Sequence, residues 1–509
     1  MPILVNEEQL ESPPAVARFD SAILLTIAAA FAVFHLATNG RYGFHRDELQ
    51  FLSDAKHLDW GFVSYPPFTP FVERVGLSLF GLSLVGLRLF SVIAQALVIF
   101  FSGLMARDLG GRRFAQVATA LAVALSPVPI FEATEFQYTS FAILWWVLIA
   151  WSTLRLLKSE NPRWWLAIGA FIGLALLTKY DIAFYVAGIL AGFLLTPARR
   201  FLKSAWFWAG TAMALVIFLP NLLWLVHHDF VPYRFLQHIH MRDVGEGRAE
   251  GFFKGQFLAD ANLFAAPVWI IGLIAFVANR RYRVLAWMYL LPVAIFWISK
   301  GRFYYVCALY PMLLAMGSVT AERWLSYIPR IGRRTIVAVY FTGLAACGAY
   351  AIAMLVPIAA SGPLRAFALD HSEDLGAEIG WDDLVKTVAG IRDSLPQDRQ
   401  ANLGILVGNY GEQGAIEILG PAYHLPPPIS VTNSAWLRGY PTPQPTTLIV
   451  IGVRADEVDS LFNSCRLAGH NGNSQGVKNE ESRYHPDIFV CGPPLKPWPE
   501  FWKEHQSFG

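Results

Sequence analysis

Eleven apolar runs, each near the length of a bilayer crossing, occupy most of the first 357 residues. They lie near 21–38, 84–106, 114–130, 138–157, 164–178, 182–197, 204–225, 264–279, 284–299, 303–320 and 335–357. A helix needs roughly 20 mainly apolar residues to cross a bilayer, and only helices or closed barrels satisfy their backbone inside one. The spacing therefore predicts a polytopic α-helical membrane protein. Composition agrees, because 15% of the 509 residues are charged, against roughly 25% in a soluble domain. Thirty-seven Phe and seventeen Trp suit a lipid-facing surface and its edge.

Basic residues fall in alternate connections. Those after the second, fourth, sixth, eighth and tenth runs hold Arg107/Arg112/Arg113, Arg155/Lys158/Arg163, Arg199/Arg200/Lys203, Arg280/Arg281/Arg283 and Arg323/Arg330/Arg333/Arg334. The short connections between them hold only Lys179, Lys300 and Arg302, and the one near 131–137 carries Glu132 and Glu135 with no base. The positive-inside rule makes the basic set cytoplasmic. Residues 1–20 are polar and acidic, unlike a signal peptide, and read as a cytoplasmic N-terminal segment. Residues 21–357 form the transmembrane domain, with outer loops near 39–83 and 226–263. Residues 358–509 read as a soluble outer α/β domain. Within it, Leu384, Val385, Val388, Ile391 and Leu395 share one helical face, and 402–408, 446–453 and 487–491 have strand character. The proline-rich stretch Pro426–Pro445 reads as a loop. Cys465 and Cys491 sit where an oxidising compartment permits a bridge; a bridge and two buried thiols both remain open.

Soluble-enzyme signatures, those that grip nucleotides among them, are absent: there is no G-x-G-x-x-G, P-loop, H-E-x-x-H or D-x-D. Neither a nucleic-acid partner nor a nucleotide donor is expected, and an enzyme on the outer side needs a donor delivered by the membrane itself. The first outer loop offers Asp47-Glu48, flanked by His45 and Arg46. As a structural feature, Asp47 with Gln50 reads as a capping box that opens a helix. As chemistry, a rigidly held carboxylate can take a proton from an attacking hydroxyl while the flanking base keeps it ionised. Lys300-Gly301-Arg302-Phe303-Tyr304-Tyr305 is either a snorkelling cation pair with its aromatic belt or a clamp for a lipid phosphate. Lys179-Tyr180 is a second candidate of that kind. The loop with His238, His240 and Arg242 shows alternating histidines without a complete ligand set. The sequence names no cofactor, and Asp47 and Glu48 leave a divalent metal open.

Taken together, Arg46-Asp47-Glu48-Leu49, Tyr65-Pro66-Pro67-Phe68, Leu177-Thr178-Lys179-Tyr180, Lys300–Tyr305 leading into Tyr310-Pro311, and Gly408-Asn409-Tyr410-Gly411-Glu412 with Gly420 resemble GT-C type glycosyltransferases. The chain is similar to the bacterial family 39-like branch of the protein O-mannosyltransferase and aminoarabinose transferase superfamily. That resemblance implies about eleven to thirteen transmembrane helices with a C-terminal soluble α/β domain. It also implies an inverting transferase that uses a polyprenyl-phosphate sugar, typically on undecaprenyl phosphate, at the periplasmic face of the bacterial cytoplasmic membrane. The acceptor would be a glycolipid, polysaccharide or protein. Asp47 matches the family's acidic residue, as base or acceptor orienter, and Glu48 its neighbour. Lys300, Arg302, Tyr304 and Tyr305, with Lys179, match the donor-phosphate region. One departure stands out: aminoarabinose transferases place a Lys where this chain has Tyr65, leaving Arg46, His45 or Arg302 to supply that charge and Tyr65 as a substrate contact. The competing readings are a transporter or flippase of lipid-linked sugars and a membrane-anchored binding module. The first calls for ionisable groups at the membrane midplane; the second needs only one span.

Overall fold

The computed structural model describes residues 18–509, so the expected N-terminal segment lies, up to residue 17, outside the described residues. The chain divides into two compact units. One comprises the described residues up to Asn39, Arg88–Val226 and His240–Ile358; the other comprises Gly40–Leu87, His227–Ile239 and Ala359–Gly509.

The first unit is the apolar bundle. Six helices among the described residues are long and apolar enough to cross a membrane: Asp20–Thr38, Leu84–Asp108, Tyr138–Ser159, Ala205–His227, Phe303–Ser326 and Arg330–Leu355. Two further runs bend sharply, Ile182–Leu194 with Pro197–Lys203 at 109° and Phe252–Asp260 with Leu263–Ala278 at 101°. Three more, Arg113–Ala124, Trp164–Leu176 and Arg283–Ile298, are shorter apolar helices. All eleven runs are helical: six have the length of a crossing in one helix, two reach it as bent pairs, and three are shorter. Local breakers explain the shortfall. Pro127 opens a separate short helix after Arg113–Ala124, and Thr196 caps a new turn ahead of Pro197, because proline cannot donate the hydrogen bond that would continue the helix.

Small residues let the helices close on each other, as bilayer packing favours. Ala266–Ala278 and Tyr310–Ser326 meet through Gly272 and Gly317, where a Cβ on either would overlap the facing Leu313 or Val268 carbonyl. The basic connections gather at one end. Arg155 and Lys158 reach Asp108 at 3.1 and 3.9 Å, and Arg281 donates to the Leu157 and Lys158 carbonyls at 3.0 and 2.8 Å. Glu322 accepts from the Arg112 amide at 2.7 Å. Four of the five basic connections are thus neighbours, as alternation of spans requires.

The second unit is built on a five-stranded sheet in the order β2-β1-β3-β5-β4, with β1 Leu403–Val407, β2 Pro428–Ser430, β3 Thr447–Ile451, β4 Arg466–His470 and β5 Asp487–Cys491. Strands β1, β2 and β3 run parallel, while β5 is antiparallel to β3 and to β4. The period of two sends Ile405, Val407, Ile449 and Ile451 to one face, under helices Trp381–Asp393 and Tyr410–Leu419. Leu406, Leu448, Val450 and Phe489 face the other way, against Phe462, Trp498, Phe501 and Trp502. Cys465 and Cys491 form a disulfide. The stretch read as a proline-rich loop instead contributes β2 and the short helix Asn433–Trp436. Its Pro428 sits at the first position of an edge strand, where a missing amide donor costs no ladder bond.

Two helices of the connection that follows the first span, Arg46–Lys56 and Phe68–Phe80, belong to this unit. Leu49 and Leu52 of the former, both fully buried, join Trp381, Ala415 and Ile416 in the core on the first face of the sheet.

Candidate functional site

The acidic pair opens the helix Arg46–Lys56, here the pair helix, but Asp47 is not its cap. His45 is: its backbone is extended (φ −70°, ψ 152°), its Nδ1 accepts from the Asp47 amide at 3.3 Å, and Glu48 reaches back to the His45 amide at 2.7 Å. The capping box predicted at Asp47 and Gln50 therefore sits two residues earlier, because Glu48 rather than Gln50 occupies the third helical position. Glu48 is fully buried, whereas Asp47 is half-buried. Both carboxylates lie in the first turn, where the helix macrodipole favours negative charge.

Side chains from the tail surround the pair. The Tyr410 hydroxyl donates to the Asp47 carboxylate. Its ring lies under the Arg46 guanidinium, 4.7 Å from ring centroid to Cζ. Arg46 also pairs with Glu480, and with Glu481 at 3.7 Å. Burial works against the charge of Arg46, but Tyr410, Glu481 and Asp47 outweigh it and raise its pKa. Burial likewise pushes the Tyr410 phenol up, with Asp47 adding to it. Arg46, expected as a phosphate ligand, is thus already engaged by protein carboxylates.

Glu412, in the first turn of the helix Tyr410–Leu419, is fully buried, with one carboxyl oxygen taking the Gly408 amide at 3.3 Å. Burial, with Glu481 nearby, raises its pKa from 4.5 to about 8, while the Gly408 amide and Arg46 pull the other way. A raised folded-state pKa adds stability that is complete below 4.5 and lost as pH climbs through about 8. Glu412→Gln should remove that dependence, so its stability relative to wild type should rise by on the order of a few kcal/mol between pH 5 and 9. Thermal unfolding across that range checks this, and parallel curves for the two proteins would contradict it.

Tyr65 is buried and donates its hydroxyl to Asp54. Arg438 binds the other Asp54 oxygen at 2.6 Å and Ser53 at 2.9 Å. Glu417 closes the network, accepting from Ser53 at 2.5 Å and lying 2.6 Å from His57. Burial raises the Asp54 pKa to about 6 against the pull of Arg438 and Tyr65.

The cationic cluster lies in the first unit. Lys179, in the turn before Ile182–Leu194, pairs with Asp181 at 3.0 Å and points over the rings of Tyr305 at 4.1 Å and Tyr138 at 5.5 Å. Lys179, Asp181, Tyr304 and Tyr305 line one cavity with Trp146 and Cys307. Arg302 grips Asp243 through two bonds of 2.6 Å and donates to the Tyr304 hydroxyl at 3.1 Å. Arg242 and Arg248 approach the same Asp243 at 3.7 and 3.8 Å. Three guanidinium groups around one buried carboxylate leave a net positive site. Lys300 is exposed in a left-handed turn (φ 53°), and the lysine over Tyr305 is Lys179 instead.

The expected histidine-rich loop is a helix, Val231–Gly245. Two positions along a helix are about 200° apart, so His238 and His240 cannot converge on one metal; His238 instead sits 5.9 Å from the Phe508 ring. Among the described residues no group of three His, Cys, Asp or Glu side chains is arranged to hold a metal ion. The sequence reading missed Asp181, Asp243, Arg248 and Tyr410 as partners, since each is chosen by tertiary contact. It counted Glu132 and Glu135 only as charge, yet both are buried.

Residues 64–224 match the family model described as dolichyl-phosphate-mannose-protein mannosyltransferase. The fold matches that of ArnT from Cupriavidus metallidurans, solved bound to undecaprenyl phosphate, with a TM-score of 0.54 over 94% of this chain and 98% of that one, at 16% identity. Over residues 64–224 the chain resembles that mannosyltransferase family, and it shares its fold with ArnT. In sequence, it is 30% identical over 256 residues to the lipid A galacturonosyltransferase RgtD of Rhizobium johnstonii, covering 48% of this chain and 53% of that protein. It is 26% identical over 329 residues to the undecaprenyl phosphate-alpha-4-amino-4-deoxy-L-arabinose arabinosyl transferase of Pseudomonas aeruginosa, covering 58% and 59%. The chain thus spans about half the length of the curated relatives it matches.

Proposed function

We propose that this protein moves a sugar from a polyprenyl-phosphate donor, of the undecaprenyl type, to an acceptor at the outer face of the bacterial cytoplasmic membrane. The observation that carries the reading is the cavity in the bundle where Lys179, Asp181, Tyr304 and Tyr305 converge. Lys179, held by Asp181 at 3.0 Å, and two phenols in a largely apolar, aromatic setting suit a phosphate that arrives on a lipid tail. Arg302, with Arg242 and Arg248 near Asp243, adds positive charge on the same unit. The alternating basic connections support placing the pair and the tail on the outer side. The named activities of the relatives, on lipid A and on undecaprenyl phosphate aminoarabinose, support the substrate class.

In the reaction, an acceptor hydroxyl gives its proton to Asp47 as its oxygen attacks the anomeric carbon. The bond from that carbon to the phosphate oxygen breaks, and the electron pair leaves on the polyprenyl phosphate. A single displacement of this kind inverts the anomeric configuration. Within the bundle, Lys179 and Arg302 are the cations assigned to the lipid phosphate. Glu48, bonded to the His45 amide, holds the first turn in place. Glycolipid, polysaccharide and protein hydroxyls all fit this chemistry.

A thermal shift tests the donor class. Undecaprenyl phosphate should raise the melting temperature of the full-length protein in a saturable way, whereas undecaprenol, which lacks the phosphate, should not. Equal shifts from the two lipids, or none from either, would overturn the reading.

A further inference from the structure

The pair helix is held by the tail along its whole length. At its start, Tyr410 donates to Asp47 and lies under Arg46, which Glu480 and Glu481 grip from the other side. At its middle, the tail helix Tyr410–Leu419 comes so close that Gly414 has no room for a side chain, since a Cβ would overlap the Leu49 backbone. A Cβ on Gly411 would stand 2.7 Å from Trp381 and 3.1 Å from the Cβ of Arg46. At its end, Ser53, Lys56 and His57 bond to Glu417, with Gln413 reaching Ser53 at 2.7 Å. Leu49 and Leu52 are buried in the tail's own core.

We propose that the α/β tail is the device that orients the acidic pair, with Tyr410 as the positioning residue that fixes the Asp47 carboxylate through its hydroxyl. The geometry explains the run Asn409-Tyr410-Gly411-Glu412-Gln413-Gly414. Asn409 caps the tail helix by accepting from the Glu412 amide at 2.9 Å. That cap starts the helix where Tyr410 meets Asp47, and the two glycines bring the helices within backbone contact. The tail is therefore part of the site that holds the acidic pair.

The proposal rests on Asp47 being the group that takes the acceptor's proton, and its test separates the two. Tyr410→Phe keeps the ring under Arg46 and removes only the hydroxyl. In the full-length protein it should lower kcat about 10–100-fold while donor KM stays within about twofold, because the contact orients a reacting group and not the donor. A hydrogen bond to the charged form holds a carboxylate pKa down, so its loss should move the acidic limb of the pH–rate profile upward. Hydrogen exchange of amides 46–52 should accelerate in the same variant, with no reaction needed to see it. An unchanged pH limb together with unchanged exchange would overturn the proposal. If exchange accelerates while even the wild type leaves undecaprenyl-phosphate-linked aminoarabinose and galacturonate untouched, the positioning stands and the transferase reading falls.

Discussion

Asp47→Asn is expected to cut turnover by about 10²- to 10⁴-fold, the range over which a positioned general base contributes. The substitution is nearly isosteric. The new side-chain amide would still accept the Tyr410 hydroxyl through its oxygen and still occupy the first turn, so the geometry should survive. What is lost is the negative charge and the ability to take a proton. Stability should fall only by about 0.3–1 kcal/mol, the worth of a carboxylate near a helix N-terminus. That asymmetry makes the result readable: a large kinetic loss with a small shift in melting temperature assigns Asp47 to the chemistry. Glu48 is the contrasting case. It is fully buried and accepts from the His45 amide, so its replacement would act through the shape of the turn. If Asp47→Asn turned over at the wild-type rate, the catalytic assignment would fail.

Arg302→Ala should raise donor KM at least about tenfold, with a smaller loss of stability. Arg302 is the strongest partner of Asp243, through two parallel bonds. Removing one partner of a buried pair costs about 3–5 kcal/mol where nothing replaces it. Here Arg242 and Arg248 stay within 4 Å of Asp243, so a cost nearer ~2 kcal/mol is expected. The kinetic effect follows from the reading of the cluster as a phosphate site, since the variant removes the guanidinium that also donates to Tyr304. Arg302→Lys should fall between, because an ammonium restores charge without the two-pronged geometry. Steady-state kinetics with varied donor checks this. A donor KM unchanged in Arg302→Ala would show that the cluster is a structural ion network.

Much of the architecture was legible in the sequence, and the exceptions have physical causes. Apolar runs and alternating bases announce a helical bundle because bilayer thickness leaves a chain few options. Run length could not reveal the 109° and 101° bends, the first of which falls where Thr196 caps a new turn ahead of Pro197. Strands β1, β3 and β5 were readable as buried apolar runs. Strand β4, Arg466–His470, was not, because it is a largely exposed edge strand with glycine within it. The helix Val231–Gly245 hid as a loop for want of an apolar stripe. In the site, the composition of Arg46-Asp47-Glu48 drew notice at once, but the partners that hold it come from more than 360 positions away. Tyr410, Glu480 and Glu481 carry no local signal of that role. Tyr65, conspicuous as a departure from the family's lysine, turns toward Asp54 and joins the network that fastens the end of the pair helix.

The most direct test of the account is the fate of the donor lipid. Full-length protein in liposomes, given a labelled undecaprenyl-phosphate sugar and an acceptor glycolipid, should release one undecaprenyl phosphate for each sugar that reaches the acceptor. Donor that crosses the bilayer intact, with no undecaprenyl phosphate formed, would contradict the account and make the protein a carrier of lipid-linked sugars.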